Sequence, residues 1–216
     1  SGNTQSAWVG PVYVTTPNTS GSTDWADSSF CSRYSVPYIG ITYRGVAACG
    51  DPFGNGNNNQ QGTITYNGKT LDTIGFQCAE LAARYFYFDT GQVPPQPGSA
   101  NFPSNASQFA YDLQSYGYGL YPTGSMVGTS TFQSSLKAGN IISMWSASDK
   151  VGHVAVVTQV DVASGGGTIW VMDENASNLV PGKPGNGKIT VKGDMSMSYE
   201  GLYNEFQWTT SLPGSG

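Results

Sequence analysis

Charge is scarce in this sequence, and its scarcity excludes several classes of protein. Charged residues make up 11% of the 216 residues, with 9 Lys and Arg against 14 Asp and Glu. Because nucleic-acid binding depends on clustered cations and the chain has no basic run, nucleic acid is not an expected partner. Long apolar runs are lacking as well. None approaches the roughly 20 residues of a membrane-spanning helix, so we expect no membrane insertion.

Histidine and cysteine are also rare, which narrows the possible chemistry. The chain has one His and three Cys. A single His without paired cysteines does not build a common zinc site, and no Gly-x-Ser-x-Gly motif marks a serine hydrolase. We therefore expect neither a metal nor another cofactor.

What the sequence does contain favours a folded extracellular protein. Hydrophobic residues make up 38%, and the aromatic residues are 13 Tyr, 9 Phe and 5 Trp. These residues can form a packed core, and the length of the chain fits one domain. Turn signals are dense in residues 1–70. We expect these residues to form an irregular N-terminal extension of the same domain as residues 71–216, and we expect a monomer.

The three cysteines predict one disulfide and one free thiol. An odd count in a secreted protein leaves at least one thiol without an internal partner. Cys31 and Cys49 flank a segment rich in Gly, Tyr and Ser, whereas Cys78 lies in a helical pattern, so we pair Cys31 with Cys49. The pairing indicates an oxidising compartment. The alternative is three free thiols in a reducing cytoplasm.

Apolar periodicity predicts two helices followed by a sheet. The first helix spans residues 76–87, and the second runs from residue 104 or 105 to Gly117. From residue 140 onward the pattern changes to short β-branched or alternating segments. Helices before strands favour an α+β fold with the helices packed on one face of an antiparallel sheet. The expected strands are 140–145, 151–160, 168–173, 188–191 and 205–209.

Cys78 is the first candidate for chemistry. It lies at the N-terminus of the predicted first helix, where the helix dipole favours a thiolate. Free backbone N–H groups at a helix start also stabilise the oxyanion that forms when a thiolate attacks a carbonyl. The alternative is that Cys78 is a small buried hydrophobic residue on an apolar helix face.

His153 is the only histidine, so any Cys–His pair must use it. It opens a predicted strand, from which its imidazole can project toward a helix packed across the sheet. A histidine with a purely structural hydrogen bond is the alternative. The next strand ends in Asp173-Glu174-Asn175, and alternation places Asp173 and Asn175 on one face and Glu174 on the other. The acid that would orient His153 is therefore Asp173 or Glu174.

Four short segments occur in the order found in one family. They are GFQCAEL (75–81), LKAGNII (136–142), GHVAVV (152–157) and DEN (173–175). Together they resemble the CHAP family of cysteine, histidine-dependent amidohydrolases and peptidases. The resemblance covers roughly residues 70–210, whereas residues 1–70 carry no such resemblance.

The resemblance implies a papain-like fold in which Cys78 on a helix faces His153 on the sheet. Asp173 and Asn175 would orient the imidazole, and Gln77 would lie beside the oxyanion. Cysteine catalysis of this kind uses no cofactor or metal.

The chain departs from the family pattern in two places. The family's acid is commonly Glu in a Glu-Gln-Asn string, whereas this chain has Asp173 in that place and Glu174 in the Gln position. The family's usual Gly-Asp before the first strand is Gly139-Asn140 here. The first departure leaves open which acid supports the imidazole, and the second concerns folding more than chemistry.

The implied activity is hydrolysis of amide bonds in bacterial peptidoglycan by a secreted enzyme. It would be an N-acetylmuramoyl-L-alanine amidase or a wall-peptide endopeptidase. Two alternatives stay open. One is a non-catalytic protein of the same fold that binds the cell wall or a glycan, and the other is a secreted amidase or protease with a non-wall substrate.

Overall fold

The structure is a computed structural model that describes residues 28–33, 37–50, 64–66, 69–72, 77–92, 105–174 and 184–210. Its α-helices are α1 (Ser28–Arg33), α2 (Cys78–Thr90) and α3 (Phe109–Asp112), and 3-10 turns at Ala106–Gln108 and Leu113–Tyr116 flank α3. Its strands are β1 (Tyr38–Tyr43), β2 (Val46–Cys49), β3 (Ile64–Tyr66), β4 (Lys69–Asp72), β5 (Leu120–Tyr121), β6 (Ile141–Trp145), β7 (His153–Ala163), β8 (Gly166–Met172), β9 (Gly187–Val191), β10 (Met197–Tyr199) and β11 (Glu205–Thr209).

Seven of the strands form one antiparallel sheet in the order β10-β9-β8-β7-β6-β11-β5. All the strands predicted after residue 140 are present in it, with ends shifted by at most three residues. The other two members, β5 and β10, have two and three residues and are too short to give a periodic signal. The predicted α+β fold is therefore confirmed for the described residues.

The helix α2 carries Cys78 and is buried on nearly all sides. It begins after Gln77, whose backbone is extended. It ends at Gly91, which is in the left-handed conformation and donates its N–H to Tyr87 O at 2.7 Å. The predicted helix over residues 76–87 is confirmed, with both ends two or three residues further along the chain.

The second predicted helix is interrupted by a side chain from the sheet. Ser143 Oγ accepts a hydrogen bond from Ala110 N at 3.0 Å and donates one to Ala106 O at 2.8 Å. In a regular α-helix those two backbone groups would bond to each other, so the inserted hydroxyl breaks the ladder. The segment is consequently a 3-10 turn, the short α3 and a second 3-10 turn. It ends at Gly117 as predicted, in the left-handed conformation with φ of 89°.

The helices α2 and α3 pack on opposite faces of the sheet, so the prediction that the helices share one face was wrong. Ser143, which contacts the α3 segment, is the cross-strand partner of Val154. The next pair, Met144 and His153, projects from the other face, where His153 contacts Cys78 of α2. The strand β6 and the first half of β7 are fully buried, and burial on both faces requires cover on both.

The described part of residues 1–70 contains regular structure that the sequence analysis did not predict. It includes α1, the hairpin β1–β2, and β3, which pairs with β4. The β1–β2 turn contains Arg44 and Gly45, both with positive φ (46° and 81°), as a two-residue hairpin turn requires. Asn-Gly or Asp-Gly is the usual signal for that turn, and Arg-Gly lacks it. The described parts of residues 1–70 are therefore regular, and the expected N-terminal extension as a whole stays a prediction.

The predicted disulfide is confirmed. Cys31 of α1 is bonded to Cys49 of β2, with Cα atoms 5.4 Å apart, and both residues are fully buried. Cys78 is the remaining cysteine and is free of disulfides, also as predicted. Among the described residues, no helix has the length and apolar character to cross a membrane.

Candidate active site

Cys78 is the first residue of α2. Gln77 precedes it in an extended conformation (φ −97°, ψ 166°) and accepts a backbone hydrogen bond from Leu81 at 3.1 Å, so the helix starts sharply at Cys78. Cys78 is 8% exposed. The first turn of a helix presents backbone N–H groups, and its dipole favours an anionic sulfur there. The predicted position of Cys78 at a helix start is therefore the observed one.

His153 begins β7 immediately after a turn that requires glycine. Gly152 has φ of 68°, and a Cβ at this position would lie 2.3 Å from the Met144 carbonyl oxygen. Asp149 Oδ1 accepts hydrogen bonds from the N–H groups of Val151 and Gly152, each at 3.1 Å. These bonds, that of Gly152 above all, lower the pKa of Asp149. The turn is thereby fixed, and it delivers His153 to the sheet face that α2 covers.

The imidazole of His153 lies between Cys78 and Asp173. Its Nε2 is hydrogen bonded to Asp173 Oδ1, and Cys78 lies close enough to the ring to raise the pKa of His153. Since Asp173 occupies Nε2, Nδ1 is the ring nitrogen that is left for the thiol. Asp173 is fully buried and His153 is 6% exposed. Sulfur, imidazole and carboxylate therefore form one continuous chain.

Burial and charge act in opposite directions on His153. Burial, the largest influence, would lower the pKa of the imidazole, because desolvation disfavours the charged ring. The charges of Asp173 and Cys78, together with their hydrogen bonds, outweigh burial and hold the pKa of His153 well above its usual value. An imidazolium in this position is the counter-ion that a thiolate requires.

Glu174 follows Asp173 in the chain but lies in a different cluster. Its Oε1 accepts hydrogen bonds from Cys49 N at 2.6 Å and from Arg84 Nη2 at 3.1 Å. Arg84 also donates to both carboxylate oxygens of Glu80, at 2.7 and 3.1 Å. The sequence left Asp173 and Glu174 as alternative partners of the imidazole, and the structure places Asp173 there.

Of the two remaining predicted site residues, only Gln77 is described. It is partly buried, and its side chain does not cap α2. Its place directly before Cys78 puts a carboxamide at the start of the helix, where the predicted oxyanion would form. Asn175 lies outside the described residues.

Two residues that the sequence analysis did not select contact Asp173. Tyr199 of β10 donates its hydroxyl hydrogen to Asp173 Oδ2 at 2.5 Å. Asn186, just before β9, accepts from Asp173 N and donates to Asp173 O through its side-chain amide, both at 2.8 Å. Neither residue belongs to a recognisable motif. The strand order β10-β9-β8 alone brings them to Asp173, so no local signal in the sequence reveals them.

A second tyrosine, Tyr203, lies parallel to the imidazole. Its ring centroid is 6.3 Å from that of His153, with an interplanar angle of 10°. Its hydroxyl donates to Asp149 Oδ2 at 3.0 Å, which ties the ring to the turn before β7. Burial, and then the bond to Asp149, raises the pKa of Tyr203, so the phenol stays neutral beside the site.

The arrangement of these residues is suited to thiol chemistry. The described residues contain no group of three or more His, Cys, Asp or Glu side chains that could hold a metal ion. They do bring together a thiol, an imidazole and a carboxylate, the arrangement that activates a cysteine for attack on a carbonyl carbon.

Comparison with known families agrees with this geometry. The CHAP domain family model matches residues 64–175, which include Cys78, His153 and Asp173. CHAP domains are generally hydrolases of the amidase or peptidase kind, typically acting on peptidoglycan. A search of curated proteins found no match. Because the family match spans more than half of the chain, this protein belongs to the CHAP domain family.

Proposed function

We propose that this protein is a secreted cysteine hydrolase that cleaves amide bonds in bacterial peptidoglycan. The observation that carries the proposal is the position of His153, whose ring contacts both Cys78 and Asp173. Burying ionisable groups costs free energy unless they are paired. A protein that only binds its ligand does not need a buried thiol, imidazole and carboxylate side by side. A thiol, an imidazole and an acid in one buried chain therefore favour turnover over binding alone.

In the proposed mechanism, Cys78 is the nucleophile and His153 is the general base and acid. His153 holds the proton of the thiol, and the thiolate sulfur attacks the carbonyl carbon of the amide. The Cys78 backbone N–H and Gln77 stabilise the resulting oxyanion. His153 then gives its proton to the leaving amine while the acyl group stays on sulfur. Water, deprotonated by His153, hydrolyses the thioester and restores the thiol.

Asp173 and Asn175 orient the imidazole in this mechanism. Asp173 keeps Nδ1 of His153 facing the sulfur and stabilises the positive charge that the ring carries during the reaction. The same role for Asn175 rests on the family motif, in which an amide follows the acid by two residues.

The proposal includes a papain-like arrangement of one domain. In support, α2 begins at the proposed nucleophile and packs across β7, which begins at the proposed base. Residues before position 70 contact the rest of the domain, since Cys49 N reaches Glu174 and Arg84 Nη1 donates to Ala47 O at 2.6 Å. The disulfide between Cys31 and Cys49 supports secretion, because such bonds persist in oxidising compartments.

The test is hydrolysis of purified peptidoglycan by the wild type and by Cys78→Ser, without a reducing agent. We expect loss of turbidity and release of amino groups with the wild type alone. The masses of the released fragments then identify the bond as the muramoyl–alanine amide or a peptide bond of the stem or cross-bridge. Iodoacetamide is a matched chemical control, because the other two cysteines are in a disulfide and only Cys78 can react.

Two negative results would have different meanings. Rapid alkylation of Cys78 without hydrolysis of any wall type would point to a non-wall amide substrate. A thiol inert to iodoacetamide, again without hydrolysis, would contradict the enzymatic proposal and favour a binding protein.

A further inference from the structure

We propose that Tyr199 is a positioning residue for the carboxylate that orients the base: its hydroxyl holds Asp173 so that Oδ1 faces His153. The inference rests on the proposed function, because it concerns the same Cys78–His153 pair. It adds a residue that belongs to none of the motifs in the sequence.

The two carboxylate oxygens of Asp173 have different partners. Oδ1 is hydrogen bonded to His153 Nε2, and Oδ2 accepts the Tyr199 hydroxyl at 2.5 Å. Rotation of the carboxylate about its Cβ–Cγ bond would break both hydrogen bonds at once. Asp173 is fully buried and Tyr199 is 1% exposed, so water does not readily replace the phenol as a donor.

The backbone of Asp173 is held from the same side. The Asn186 side chain bonds both Asp173 N and Asp173 O at 2.8 Å. Tyr199 pairs with Ile189 of β9, which in turn pairs with Ile169 of β8, so its side chain is on the same face of the sheet as that of Asp173. The last part of the sheet therefore fixes both the main chain and the side chain of Asp173.

Gly187 leaves room for the hydrogen bond between Asp173 and Tyr199. A Cβ at Gly187 would lie 3.3 Å from Asp173 Oδ2, 3.5 Å from the Tyr199 hydroxyl oxygen and 3.0 Å from a Val171 methyl carbon. A methyl group added there would crowd the hydrogen bond without removing either partner.

Tyr199 can act only as the donor in this pair. Burial, and then the charge of Asp173, raises the pKa of the phenol, so it stays protonated, whereas a carboxylate only accepts. Hydrogen bonds to an ionised acceptor are stronger than those between neutral groups. The phenol therefore stabilises the charged form of Asp173, and that charge is what pairs with the imidazolium of His153.

The groups that face His153 come from every element packed around it: Cys78 of α2, Asp173 after β8, Tyr199 of β10, Tyr203 before β11 and Asp149 of the preceding turn. Both tyrosines are neutral, and Asp149 is already hydrogen bonded to the N–H groups of Val151 and Gly152 and to the Tyr203 hydroxyl. A change at Asp173 should therefore be visible directly in the titration of His153.

The experiment compares Tyr199→Phe with Tyr85→Phe. Tyr85 is also buried and its hydroxyl donates to Gly139 O at 3.2 Å, so the control removes a buried hydroxyl that does not contact Asp173. His153 is the only histidine, so its imidazole resonances in NMR spectra report one pKa. The alkylation rate of Cys78 by iodoacetamide across a pH series reports the thiolate. Neither readout needs a substrate.

We expect Tyr199→Phe to lower the pKa of His153 so that the imidazole binds its proton about tenfold more weakly. Alkylation of Cys78 near neutral pH should slow by about the same factor. Without the phenol, the charged form of Asp173 loses a donor in a buried place, and the imidazolium loses its counter-charge. On the amide that the wild type cleaves, kcat should fall by a similar factor with KM unchanged. Tyr85→Phe should lower thermal stability only.

A double-mutant cycle separates positioning from a general loss of stability. In an Asp173→Asn background, adding Tyr199→Phe should change the alkylation rate by less than about twofold, because no carboxylate is left to position.

If Tyr199→Phe does not fold, Gly187→Ala is the second variant and should lower the pKa of His153 in the same way. An unchanged His153 titration in the folded variants would overturn the proposal. If Tyr199→Phe gives the expected shifts but the wild type cleaves no wall substrate, the result would support the positioning role and contradict wall hydrolysis.

Discussion

Asp173 and Glu174 are neighbours in the chain and are both fully buried, yet their surroundings differ. Asp173 contacts an imidazole and a phenol, so its charge faces a group that can gain and lose a proton. Glu174 contacts the guanidinium of Arg84, which is always charged, and lies beside a second acid, Glu80. The neighbours, rather than the degree of exposure, make the two acids different.

The Arg84 cluster has one positive charge for two carboxyl groups. Burial, and then the nearby Glu80, raises the pKa of Glu174 well above its usual value. In the His153 cluster, the charges of Asp173 and Cys78 outweigh burial and hold the pKa of His153 well above its usual value. From this comparison we expect the Arg84 cluster to serve packing and the His153 cluster to serve chemistry.

The largest expected effect is on activity and tests the comparison directly. Asp173→Asn removes the charge that pairs with His153 and should lower kcat by about 10² to 10⁴-fold. The matched variant Glu174→Gln, one residue further on, should keep kcat within about threefold, because it touches no part of the site. Amines released from peptidoglycan, counted per folded molecule, give both values. Equal losses in the two variants would remove the distinction between the acids.

The next effect is on stability. Arg84→Met leaves Glu80 and Glu174 buried without their cation and should lower the free energy of unfolding by about 3–5 kcal/mol. Lys188→Met, which changes an exposed cation on β9, is the control and should stay within about 0.5 kcal/mol of the wild type. Urea denaturation measures both. A small loss for Arg84→Met would show that the cluster does not serve packing.

Removal of the disulfide should have a somewhat smaller effect. Replacing Cys31 and Cys49 together by Ala opens a link across a separation of 18 residues and should cost about 3 kcal/mol of stability. Thermal and urea denaturation would show the loss, whereas hydrolysis per folded molecule should stay unchanged. If hydrolysis fell as well, the contact from Cys49 N to Glu174 would couple the two clusters, and the comparison between them would break.

The smallest expected effect is on the pH dependence of stability. The folded-state pKa of Glu174 lies above its ordinary value of 4.5, so above that pH the folded protein holds a proton that the unfolded chain has released. The resulting stabilisation is complete below the ordinary value and is lost as the pH rises toward the folded-state pKa. Glu174→Gln lacks this loss. As the pH rises, the free energy of unfolding of Glu174→Gln should therefore increase relative to that of the wild type. A series of urea denaturation curves at different pH values would measure this difference. A difference that does not change with pH would contradict the raised pKa of Glu174.

Sequence signals were sufficient where the physical cause is local. The helix α2 has an apolar period, and a free thiol at its start combined with a single histidine pointed to Cys78 and His153. The α3 segment shows the limit, because Ser143, 33 residues from Ala110, inserts its hydroxyl into the helical ladder. No pattern within the segment itself encodes that contact.

The two acids could not be assigned from the sequence for the same reason. The two adjacent acids carry the same functional group, and their distances along the chain from every motif differ by one residue. Their roles depend on Arg84, Cys49 and Tyr199, which come from three distant parts of the chain. Alternation along the strand separated Asp173 from Glu174 but did not say which neighbour each would meet.

The family match ends at residue 175, before Asn186 and Tyr199. A fragment cut at the family boundaries for fusion to another protein would keep Cys78, His153 and Asp173. It would lose the amide and the phenol that hold the acid, together with β9, β10 and β11. We therefore expect the smallest transferable module of this CHAP domain to be longer than its family signature and to include β11.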